Sequence, residues 1–85
     1  MRLEIAILKN LIHHESYMRK VLPFIKAEYF LEESEKTVFQ HTYQFITKYN
    51  KPPTLEALSI SLENTTLPEG LFQDVTQLIN KLEPT

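Results

Sequence analysis

The sequence has 85 residues, which limits it to a single small domain. Its net charge of -2 leaves no cationic excess for gripping a phosphate backbone or an anionic membrane surface. Cysteine is absent and Gly70 is the one glycine, so the composition excludes disulfides, thiolate zinc sites, dinucleotide fingerprints and P-loops.

The first predicted element is a largely buried helix from Leu3 to Ile12. This segment is almost continuously apolar, and its best stripe at helical spacing is Ile5, Leu8, Leu11 and Ile12. A break is predicted near His13 to Ser16, where the Ser16 hydroxyl can cap the next helix by accepting from the amide of Arg19.

The second predicted helix is short and ends at a proline. Its inner face is predicted to consist of Tyr17, Met18, Val21 and Leu22. Pro23 has no amide hydrogen and disfavours helical geometry at Leu22, so a kink and a short turn are expected around Phe24 and Ile25.

The central element is a long helix from about Glu33 to Tyr49. Its apolar stripe contains Val38, Phe39, Thr42, Phe45, Ile46 and Tyr49. Acidic residues lie at its beginning and lysines at its end, as the helix dipole favours. Pro52 and Pro53 then stop it, because neither can continue a helix.

Two further helices are predicted after the proline pair. Thr54 is expected to cap a helix over Leu55 to Glu63. Thr66 and Glu69 have the spacing of a capping box for the last helix, and Gly70 in its first turn is interpreted as a position of close backbone approach. The buried face of this helix is predicted to be Leu71, Phe72, Val75, Leu78, Ile79 and Leu82.

Together these elements predict an all-α fold, a compact bundle of about five short helices in a single domain over residues 1–85. No strand alternation of useful length is present. No uncharged run approaches the ~20 apolar residues of a membrane span, and the start "MRLEIAILKN" lacks a secretory cleavage pattern, so we expect a cytoplasmic protein without membrane contact.

The sequence gives no indication of catalysis or metal binding. His13 and His14 are neighbours and would point about 100° apart on a helix, so they cannot chelate one ion as an i, i+4 pair does. The acidic residues at 32, 33 and 35 flank a helix start, where acids are stabilising in any case. No serine lies in a nucleophile motif. We therefore expect no catalytic, cofactor-binding or metal-binding residues in this segment.

Three stretches carry a resemblance to a known family: "YMRKVLPFIKAEYF", "EKTVFQHTYQFITKYNKPPTLEALSISLEN" and "GLFQDVTQLINKL". Taken in order, they resemble the amino-terminal domain of DnaB-family hexameric replicative DNA helicases, most closely the T4-type phage branch. The bacterial members usually have glycine in the first helix, whereas "IAILKNLI" has none, which favours the phage branch. The matching positions belong mostly to core and turns, so the resemblance identifies a fold lineage better than a site.

The resemblance implies a collar domain on a ring-shaped helicase that unwinds duplex DNA at the replication fork. It implies an ATP- and magnesium-dependent motor domain, which is absent from this sequence, so the segment itself is expected to lack enzymatic activity. The implied partners are other helicase subunits in a hexameric ring, primase and the helicase loader, with single-stranded DNA bound through the parent protein. In the family a helical hairpin follows this domain. Since the sequence stops at Pro84 and Thr85, we expect an excised fragment that is monomeric or weakly associated.

A second hypothesis is a freestanding small DNA-binding or regulatory phage protein, with Leu55 to Glu63 as its recognition helix. That helix contains two glutamates and no lysine or arginine, which disfavours this function. For the interaction domain, we expect a protein-binding surface made of polar-tipped aromatics beside long basic side chains, because such residues are good interface anchors. These residues are Tyr17, Arg19, Lys20, Tyr43 and Lys48.

Overall fold

The computed structural model describes residues 3–83 and contains five α-helices and no strand within that range. The terminal residues, among them Pro84 and Thr85, lie outside the described residues. The helices are α1 (Leu3–His13), α2 (Glu15–Val21), α3 (Glu33–Tyr49), α4 (Leu55–Glu63) and α5 (Glu69–Lys81). Two 3-10 turns, Leu22–Phe24 and Ala27–Tyr29, connect α2 to α3. The predicted all-α bundle is confirmed.

α3 is the central element of the bundle. It packs against α1, α4, α5 and the second 3-10 turn, and its contact with α5 is the most extensive. Its bounds match the prediction, and Asn50 ends it in the left-handed conformation at φ 58°. The start of α3 has a capping interaction that the sequence did not predict. Glu32 and Glu35 form a reciprocal capping box, in which the Glu32 amide donates to Glu35 Oε1 at 3.3 Å.

A single apolar core lies between the helices, with contributions from every one of them. The predicted stripe of α1 is buried, and so are Val38, Phe39, Thr42 and Ile46 of α3. The prediction of burial was wrong at one position on each of two helices. Tyr49 on α3 is half exposed, and Phe72 on α5 is 37% exposed. Both side chains line open grooves beside α4.

Two predicted helix caps are wrong, and a third is confirmed. α2 begins at Glu15, since the single extended residue His14 suffices to break α1 from α2. α5 begins at Glu69, because Pro68 itself adopts an extended ψ of 145° and keeps Thr66 outside the helix. Thr54 does cap α4, with its hydroxyl oxygen accepting from the Ala57 amide at 3.0 Å.

Gly70 does not mark a close backbone approach. A Cβ added at this position would meet nothing within 4 Å. The interpretation drawn from the sequence is therefore wrong, and the glycine is not required by packing among the described residues.

Candidate protein-interaction surface

The five predicted surface residues lie on α2 and α3 but do not form one patch. Tyr43 and Lys48 are both exposed on α3, yet five helical positions separate them by about 140° around the axis. They line two different grooves, which flank α3. Tyr17 is half-buried and packs against the core, whereas Lys20 is exposed.

Arg19 is exposed, and its side chain also has a structural role. Its Nε donates to Glu15 Oε2 at 3.1 Å, which is an i, i+4 ion pair on α2. Its two terminal nitrogens donate to Asn50, with Nη2 at 2.9 Å from the carbonyl oxygen and Nη1 at 3.3 Å from Oδ1. The guanidinium thus ties α2 to the end of α3, and a partner that engages Arg19 must compete with these bonds.

The larger groove lies between the 3-10 turns and α3, and we name it the turn groove. Its volume is about 590 Å³, within the range of binding pockets. Residues 22–31, which connect α2 to α3 and which we name the turn segment, supply one wall. This wall consists of Leu22, Pro23, Ile25, Lys26 and Ala27. The opposite wall is one face of α3, made of Phe39, Gln40, Tyr43 and Gln44.

A series of aromatic ring contacts, one stacked and one tilted, connects the turn groove to the core. Phe30 is 1% exposed and stacks on Phe39 with ring centroids 5.1 Å apart. Phe39 in turn contacts Tyr43, whose ring centroid lies 6.1 Å away and which is 46% exposed. Because aromatic pairs in this range are attractive, the stack holds the Tyr43 ring on the groove wall.

The turn segment also exposes large apolar side chains. Phe24, Tyr29 and Leu31 are 74%, 58% and 78% exposed. Apolar side chains that cluster on one exposed segment are typical of interaction sites. The sequence reasoning included Tyr43 but missed this segment, although the density of apolar residues around Pro23 could have indicated it.

The smaller groove lies between α3 and α4, and we name it the helix groove. It has a volume of about 310 Å³ and includes Phe45, Lys48, Tyr49 and Ile60. The ring centroids of Phe45 and Tyr49 are 4.5 Å apart. Lys48 Nζ lies 5.3 Å from the Tyr49 ring centroid, which is within cation–π distance. Gln44 lines both grooves.

His41 lies at the side of the helix groove and joins its two helices. Its Nδ1 is 2.9 Å from Ser61 Oγ of α4. Burial lowers the pKa of the His41 imidazole from its ordinary value of 6.5, since desolvation disfavours the charged ring. His13 has a comparable connecting role, because its Nε2 lies 2.6 Å from the Leu82 carbonyl oxygen and so links the ends of α1 and α5.

Within residues 3–83, no group of three or more histidine or acidic side chains could hold a metal ion. No helix in that range is long and apolar enough to cross a bilayer. The described surface has two grooves with mixed polar and apolar linings and aromatic side chains in their walls, and aromatic side chains are enriched where proteins contact other proteins.

Comparison with known proteins shows what this helical chain is related to. No family model matches it. It is 34% identical over 76 residues to the DnaB-like replicative helicase of Enterobacteria phage T4. The aligned residues make up 89% of this chain but 16% of that relative. The resemblance indicated by the sequence is confirmed: over most of its length, this chain is related to one segment of a DnaB-like replicative helicase.

Proposed function

We propose that this chain is the amino-terminal protein-interaction and ring-assembly domain of a phage replicative DNA helicase. The observation that carries the proposal is the 34% identity over 76 residues to the T4 DnaB-like replicative helicase. In this proposal, residues 1–85 form one helical domain, the collar of a hexameric ring in the cytoplasm of the bacterial host.

The proposed domain has no catalytic role of its own. Duplex unwinding, ATP and magnesium belong to a motor domain elsewhere in the parent protein, which also holds the single-stranded DNA. The proposed partners of this domain are neighbouring subunits, primase and the helicase loader. The two grooves beside α3 and the exposed apolar side chains of the turn segment support a function in protein binding.

A binding experiment tests this function. The purified chain is mixed with the primase and loader of the same phage, and with labelled single-stranded DNA in parallel, at about 0.15 M salt to suppress nonspecific phosphate attraction. Binding to either protein without DNA binding supports the proposal. DNA binding alone would instead favour the freestanding DNA-binding protein.

Alanine replacements at Tyr17, Arg19, Lys20, Tyr43 and Lys48 test the proposed site residues. Folding is verified for each variant by circular dichroism, which matters most for Arg19 because of its bonds to α3. We expect the exposed Tyr43 and Lys48 to have the largest effects on affinity. Unchanged affinity in all five variants would contradict the site assignment while leaving the proposed function intact.

A further inference from the structure

We propose that the turn groove binds an amphipathic helical segment of a partner protein, with an acidic side chain of that segment placed against Lys26. The inference rests on the proposed function, since it gives the interaction domain a binding site and the partner segment a stated chemistry.

The apolar part of the groove lining is held in place by the core, and Gln40, Gln44 and Lys26 supply polar groups beside it. Leu22, Ile25 and Ala27 are partly buried and pack against the core, so they are held in place before any partner arrives. Tyr43 is likewise held by its contact with Phe39. A wall that is already ordered loses little conformational entropy on binding. A volume of about 590 Å³ accommodates several apolar side chains from one face of a helix.

The charge of the groove selects an acidic partner. Lys26 is exposed and is the one charged residue among those that line the groove. The lining contains no carboxylate, although the chain as a whole has a net charge of -2. A glutamate or aspartate beside the apolar face of the partner would therefore meet the Lys26 ammonium, while the exposed Glu28, two residues further along the chain, lies outside the described lining.

The backbone of the groove favours a helix over an extended peptide. Extended peptides gain affinity by pairing with an exposed strand edge, and residues 3–83 contain no strand. In the turn segment, the Ile25 amide donates to the Leu22 carbonyl and the Tyr29 amide to the Lys26 carbonyl. Recognition must therefore come mainly from side chains, as in helix-in-groove complexes.

Single-stranded nucleic acid is the less favoured occupant. An exposed tyrosine beside a lysine could stack on a base, but binding along a phosphate backbone requires a track of cations. The groove has one.

The experiment is a selection of binding peptides against the full chain. A display library of randomised peptides of about 16 residues, roughly four helical turns, is panned against the chain at about 0.15 M salt. We expect enrichment of peptides with apolar residues at i, i+3 or i+4, and i+7, together with an aspartate or glutamate. Failure to enrich any peptide, or enrichment of peptides without acidic residues, would overturn the proposal.

Two pairs of variants locate the binding site of the selected peptides. Tyr43→Ala should weaken binding about tenfold or more, whereas Tyr49→Ala, at a similarly exposed tyrosine outside the turn groove, should change it less than about twofold. Lys26→Glu should weaken binding about fivefold or more, and Lys51→Glu should not. Replacing the peptide's acidic residue with lysine should restore affinity for the Lys26→Glu variant. Equal effects within either pair, or no restoration, would contradict the proposed site.

Nucleic acid is tested in the same way. Binding of labelled single-stranded DNA that is lost in Tyr43→Ala but not in Tyr49→Ala would assign the groove to DNA and overturn the proposal.

The binding experiments also separate this inference from the proposed function. If primase or the loader binds the chain but Lys26→Glu does not change the affinity of the selected peptides, the groove assignment fails and the proposed function stands. If selected peptides bind at the groove but neither protein binds, the proposed partners fail alone.

Discussion

Arg19 and Asn50 lie 31 residues apart in the chain, yet the guanidinium of Arg19 donates to both the carbonyl and the side-chain oxygen of Asn50. Asn50 is also the one non-glycine residue with positive φ among residues 3–83. A side chain on α2 therefore contacts the residue at which α3 ends, just before Pro52 and Pro53. The contact joins two segments that are distant in sequence.

The left-handed conformation of Asn50 leads to a first prediction. Asn50→Ala should reduce the free energy of unfolding by about 1 kcal/mol or more, because alanine disfavours positive φ and cannot accept from Arg19 through its side chain. Asn50→Gly should cost less, since glycine adopts this conformation freely. Urea denaturation measures both. Equal losses in the two variants would mean that the backbone conformation does not determine the cost.

The lowered pKa of His41 leads to a prediction about acid stability. The folded protein binds this proton less readily than the unfolded chain, so the contribution of His41 is fully present above pH 6.5 and declines as pH falls toward the lowered folded value. His41→Gln should flatten the decline of the melting temperature below pH 6.5. A wild-type slope in His41→Gln would contradict the prediction.

The core positions allow a direct test of packing. Phe39 and Leu78 are 3% and 5% exposed, on α3 and α5. Replacement of either by alanine should cost about 2–5 kcal/mol, because burial is lost and a cavity remains. Gln73→Ala on the exposed face of α5 should change stability by less than about 0.5 kcal/mol. Wild-type thermal stability in either core variant would show that the assigned helix faces are wrong.

The open space around Gly70 predicts a stabilising substitution. Gly70→Ala should raise the free energy of unfolding by about 0.4–1 kcal/mol, because alanine has fewer unfolded conformations and the added methyl group meets no atom. Thermal denaturation measures the gain. A lower melting temperature in this variant would reveal a packing constraint at Gly70.

The sequence predicted best those elements whose ends depend on local chemistry. α3 and α4 have the predicted bounds because acidic residues begin α3, the proline pair follows it and Thr54 caps α4. The two wrong caps, at Ser16 and Thr66, were also read from local signals. In both cases a neighbour, His14 or Pro68, adopts the extended conformation at the helix boundary instead.

The candidate site was less predictable because it depends on contacts between distant segments. Periodicity places Tyr43 on α3 but does not show that the 22–27 segment packs opposite it. A three-residue 3-10 turn such as Ala27–Tyr29 has no period to detect. The pairing of Arg19 with Asn50 is likewise invisible in the sequence, and it converts a predicted contact residue into one that also supports the fold.

The contact series from Phe30 through Phe39 to Tyr43 has a spectroscopic consequence. The chain contains no tryptophan, so the magnetic environment of its interior is set by phenylalanine and tyrosine rings. A molecule that turns the Tyr43 ring at the surface changes the ring-current shift of the Phe39 protons, because the Phe39 ring is buried against Tyr43. The proton resonances of one buried phenylalanine thus report occupancy of the turn groove, without a label and without any substitution in the protein.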